Sequence, residues 1–151
     1  MSRAALACAL AALLAGPAHA ADGLGDPRAY EYADGMSFYR FDACGDGLPG
    51  RLYRRALAEK LAHCPFTPAA RAQFSERARG QRRKSADAIE AMIADRGGLP
   101  RELDGMASTC HAQMADPDYQ RVRALLLQYG QGTATAETVL PAACDAENQL
   151  P

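Results

Sequence analysis

Residues 67–96 read TPAARAQFSERARGQRRKSADAIEAMIADR, followed by Gly97-Gly98. Thr67 can cap a helix N-terminus, and Pro68 suits the first helical position because its missing N–H has no helical partner there. Gly97-Gly98 supplies the left-handed conformation that commonly ends a helix. Phe74, Ala78, Gln81, Ser85, Ile89 and Met92 recur at steps of three and four, with Ala88 and Ile93 beside them. Together they predict one face of a helix about 40 Å long, against which shorter helices can bury their apolar sides.

Upstream, Arg51–His63 carries a second stripe of Tyr53, Leu57, Leu61 and Cys64, widened by Leu52 and Ala56. Arg51, Arg54, Arg55, Glu59 and Lys60 are assigned to water, and Cys64-Pro65 ends the helix because the residue before proline avoids the helical region. GDGLPG at 45–50 reads as a loop. Met36–Cys44 predicts a short helix ending at Gly45. Residues 21–35, with their Gly, Asp and Pro27, predict an irregular N-terminal arm.

Downstream, Leu99, Leu103, Met106, Cys110 and Met114 form a core stripe on a helix opened by Pro100. Asp116-Pro117 caps the next, whose buried face is Tyr119, Val122, Leu126 and Tyr129, with Leu125 beside it and Gly130 as its stop. Residues 136–140 allow one further turn, and 147–151 read as a frayed tail. The expected fold is all-α: one small bundle-like domain of four to five helices over residues 36–146.

Residues 1–20 stand apart. Arg3 followed by ALACALAALLAG and Ala18-His19-Ala20 has the order of a cleaved signal peptide, which sets the mature start at Ala21 and discards Cys8. The apolar run is too short for a membrane anchor. The formal charge of −1 becomes −2 when Arg3 is lost, so no global field favours nucleic acid or an anionic membrane.

Cys44, Cys64, Cys110 and Cys144 remain, an even count that in an exported chain predicts two disulfides. None lies in a C-x-x-C arrangement, which leaves thioredoxin-like chemistry, c-type haem attachment and a paired-cysteine zinc site without support. Helix lengths narrow the pairing. If the 51–63 helix runs back along the long one, its start and Cys44 lie about 20 Å above Cys64, and Cys110 about 25 Å above it. A disulfide needs Cα atoms within ~7 Å, so Cys44 is matched to Cys110 and Cys64 to Cys144.

Few residues point to chemistry. His63, at a helix end, suits the negative pole of the dipole. Asp42–Gly47 resembles a calcium loop in part, but Cys44 and Tyr53 occupy ligand positions, and the segment reads as an acidic turn. Met106, His111 and Met114 could offer soft sulfur and imidazole to copper, although both methionines already fit the core stripe. Arg77, Arg79, Arg82, Arg83 and Lys84 gather positive charge on the long helix with only Glu76 near in sequence. Arg79, Arg82 and Arg83 are therefore candidates for docking an acidic protein or an anionic envelope polymer. The leading expectation is an exported, non-catalytic interaction module of the bacterial envelope, such as an inhibitor, immunity protein or chaperone-like binder. The alternatives are a periplasmic copper carrier using His111 and Met114, and an enzyme built on scattered acids with His63 or His111. No cofactor is expected.

Overall fold

The computed structural model describes residues 23–94 and 99–151. The expected leader with its predicted cleavage site, and Gly97-Gly98, lie outside them. So do the side chains of Ala88, Ile89, Met92, Ile93, Leu99, Leu103 and Met106 within the predicted stripes. The described chain is all-helical: α1 (Arg28–Arg40), a 3₁₀ turn (Asp42–Cys44), α2 (Gly47–His63), α3 (Pro68–Ala94), α4 (Leu99–Ala115), α5 (Pro117–Gly130) and the single turn α6 (Ala136–Val139). Among the described residues no helix is long and apolar enough to cross a membrane.

Caps and periodicity act as expected in several places. Thr67 Oγ1 accepts from the Ala70 N–H at 3.2 Å. Asp116 accepts from the Asp118 N–H at 2.9 Å, with Pro117 in the first turn of α5. Tyr119, Val122, Leu126 and Tyr129 are the buried residues of α5. The disulfides are Cys44–Cys110 and Cys64–Cys144, with Cα atoms 5.2 and 5.7 Å apart.

Among the described residues, much of the core gathers on α2. Tyr53, Ala56, Leu57 and Leu61 are buried on α2, which packs against α1, α5 and α6. Among the described residues of α3 the core takes Ala70, Phe74 and Ala78, and this part of the helix packs against α1. Residues 79–84 of α3 are Arg-Gly-Gln-Arg-Arg-Lys and all are exposed, so they bring no apolar surface to the interior.

Three boundaries differ from expectation. The irregular arm is helical from Arg28, which makes α1 thirteen residues long. Helix α2 begins at Gly47 within the predicted loop, and Pro49 is tolerated because it falls in the first turn. Gly50 is required for a close approach, since a Cβ there would stand 2.8 Å from Asp42 Oδ1. The tail is not frayed. Gln149 is fully buried, its carbonyl accepting from Tyr53 Oη at 3.0 Å and its side-chain amide donating to Ala143 O at 2.7 Å. At the other end, Leu24 pairs with Phe66: its N–H donates to Pro65 O at 2.8 Å, and its carbonyl accepts from Thr67 N at 3.0 Å.

Lys60 also departs from the reading that faced it to water. It is 1% exposed, and its ammonium donates to the carbonyls of Leu140, at 2.5 Å, and Ala142, with Glu137 Oε2 at 3.9 Å. Burial holds its pKa below the ordinary lysine value. Arg54, likewise assigned to water, is half-buried and bridges Asp42 at 2.5 Å.

Candidate functional site

Helix α1 reads RAYEYADGMSFYR and has two distinct faces. Tyr30, Ala33, Asp34 and Ser37 point inward; Tyr30 meets Phe66 and Phe74 edge-on at 5.3 and 6.5 Å. Tyr32, Met36 and Tyr39, spaced four and three apart, form the opposite stripe, with Tyr32 57% and Tyr39 59% exposed. Contacts ascend together along α1 and α3: Tyr30 to Phe74, Glu31 to Arg77 and Asp34 to Arg82. The two helices therefore run in the same direction.

Between them lies a groove of about 550 Å³. One wall is Tyr32, Met36 and Tyr39; the other is Arg77, Gln81 and Lys84, at the same spacing of four and three. Gly35, Ala78 and Gly80 complete the lining and add little side-chain bulk to it. The groove joins a smaller crease of about 220 Å³ at Gly35 and Gln81, where Asp34, Ser37, Asp42, Arg54 and Arg82 converge.

The crease is an ion-pair network. Arg82 donates to both Asp34 oxygens at 3.0 and 3.1 Å, and Arg54 donates to Asp42 and to Ser37 Oγ at 3.2 Å. Ser37 Oγ donates in turn to the Asp34 carbonyl at 2.7 Å. Asp34 is 4% exposed, and burial raises its pKa against the opposing pull of Arg82 and Arg54. Each carboxylate here meets a guanidinium, so the network ties α1 to α2 and α3 through charge-assisted bonds.

The basic cluster of α3 is thus divided in space. Arg77 bridges Glu31 at 3.1 Å and Arg82 bridges Asp34, so α1 neutralises part of a patch that has only Glu76 near it in sequence. Arg79 and Arg83 are exposed, have no ion-pair partner among the described residues, and stand outside the groove lining. Lys84 is exposed on the groove wall.

The other candidates fall elsewhere. His63 Nδ1 donates to Glu59 O at 2.8 Å, satisfying a carbonyl of the last turn of α2. His111 is exposed, Met114 packs half-buried against the core, and Cys110 is held in its disulfide. Among the described residues, no group of three or more His, Cys, Asp or Glu is placed to hold a metal. In the acidic turn, Asp42 is held by Arg54, while Asp46 accepts from Tyr119 Oη at 2.8 Å and Arg123 Nε at 2.7 Å.

The aromatic wall was missed in the sequence because its partner face is aromatic as well. Residues 30, 32, 38 and 39 surround α1 and leave no amphipathic contrast. The signal that could have found it is the pair of matching strings, Tyr32-Met36-Tyr39 and Arg77-Gln81-Lys84. Searches of protein-family models, curated proteins and solved structures returned no match to the chain.

Proposed function

We propose that this protein is exported to an oxidising compartment of the bacterial envelope and acts there as a non-catalytic protein-interaction module. Its docking face is the groove between α1 and α3. The observation that carries this reading is the pair of half-exposed tyrosines, Tyr32 and Tyr39, facing the cations of α3 across the groove. Exposed aromatic rings beside fixed charge are the usual anchors of binding surfaces. Two disulfides accord with an oxidising compartment, and the order of charge, apolar run and A-x-A at residues 1–20 accords with export. The acidic partner expected for Arg79, Arg82 and Arg83 is retained, with its main contact moved to Lys84, which has no ion-pair partner among the described residues.

Affinity columns bearing the protein and its Tyr32→Ala/Tyr39→Ala variant test this, using an envelope extract. Both residues are exposed, so the variant should keep its circular dichroism spectrum and unfolding midpoint. A protein retained by the original and lost from the variant supports the reading. Equal retention on the two columns would refute it. Mass spectrometry of the secreted chain should find Ala21 at its N-terminus.

A further inference from the structure

We infer that the occupant of the α1–α3 groove is an amphipathic helix with acidic flanks, an inference that rests on the docking reading above. Two parallel helices present ridges of the same period, Tyr32-Met36-Tyr39 and Arg77-Gln81-Lys84. Ridges at steps of four and three are the surface against which a third helix packs, its own side chains entering the channel between them. A peptide bound as an added β-strand would need a sheet edge for its backbone groups, and both walls are helices whose backbones are already bonded internally.

The groove lining gives an independent sign. Gly80 lies within α3, where glycine weakens a helix relative to almost any other residue. Nothing stands within 4 Å of the place a Cβ would occupy at Gly80, so no packing among the described residues calls for its absence. A closely approaching helix would.

Charge fixes the character of the flanks. Arg77 is bridged to Glu31, whereas Lys84 has no ion-pair partner among the described residues. Unmatched positive charge on the groove wall is therefore concentrated toward the Lys84 end, with exposed Arg83 beside it in sequence. The guest helix places Asp or Glu there, and apolar residues over Tyr32, Met36 and Tyr39.

The test is a selection from displayed peptides, half on a helical scaffold and half linear and unconstrained, panned on the protein and on its Tyr32→Ala/Tyr39→Ala variant. Enriched peptides should share an apolar stripe at steps of three and four with acidic flanks, and should become helical when bound. Lys84→Glu should weaken a selected peptide roughly tenfold or more, as loss of a matched charge does. Glu31→Gln should tighten it by releasing Arg77. Gly80→Leu should raise the unfolding midpoint and abolish binding, two effects of opposite sign that misfolding cannot produce. Peptides that map to the groove but bind extended, or carry basic flanks, would overturn the helical inference and leave the docking reading standing. No enrichment over the tyrosine variant, or binding only of dextran sulfate through Arg79 and Arg83, would overturn both.

Discussion

Lys60 shows how a single residue can be misplaced by its type. It follows Ala56 by four positions and Leu57 by three, so its spacing puts it on the buried face of α2. Assigning it to water followed the habit of lysine rather than its position. In the fold it serves as a charged staple, bonded to carbonyls just before the Cys144 segment. Lys60→Met fills similar space but leaves those carbonyls without a donor. Loss of about 1–3 kcal/mol is expected, the usual cost of an unsatisfied buried group, measured by urea unfolding. A neutral result would mean that water replaces the ammonium.

Asp34 offers a second test through pH. Its folded pKa lies above the ordinary 3.8 because burial disfavours the carboxylate. The folded state therefore binds the proton more readily than the unfolded state between 3.8 and the raised value. Stability from this group is then present at low pH and is lost as pH rises through the folded pKa. Asp34→Asn cannot titrate. The stability of the original protein relative to this variant should grow as pH falls from neutral toward about 4, where ordinary carboxylates begin to protonate. A difference that shrinks over that range would show that Arg82 and Arg54 outweigh burial.

At the scale of elements, legibility followed contrast between faces. Helix α5 was readable to its buried residues because Asp116 and Pro117 mark its start and one face alone is large and apolar. In α1 the aromatic residues ring the helix, and Gly35 with Pro27 looked like loop chemistry. The missing information is tertiary: one aromatic face packs on Phe66 and Phe74, and the other stays open as the groove wall. The basic cluster failed differently. Glu31 and Asp34 are more than forty residues away in sequence, and only the parallel arrangement of α1 and α3 brings them to Arg77 and Arg82.

For the whole molecule, the pairing of cysteines was within reach of helix lengths alone. The closed loops span 66 and 80 residues, so chain entropy predicts nearly equal stabilisation, about 4 kcal/mol for each disulfide. Cys44→Ala/Cys110→Ala and Cys64→Ala/Cys144→Ala should therefore cost similar amounts in denaturant titrations. The second should cost somewhat more, because Cys64 is buried with its sulfur 3.1 Å from Tyr30 Oη, whereas Cys44 and Cys110 are both half-buried. A cheap loss of Cys64–Cys144 would mean that Lys60 and Gln149 hold the final segment without it.

The burial of Lys60 has a practical side. The chain contains two lysines, and the other is Lys84, exposed on the groove wall. An amine-reactive fluorophore applied to the folded protein thus meets one accessible side-chain amine, besides the α-amino group. Chemistry that usually scatters dye over a surface becomes site-selective here without any engineered cysteine, and the label sits where a ligand entering the groove would change its emission.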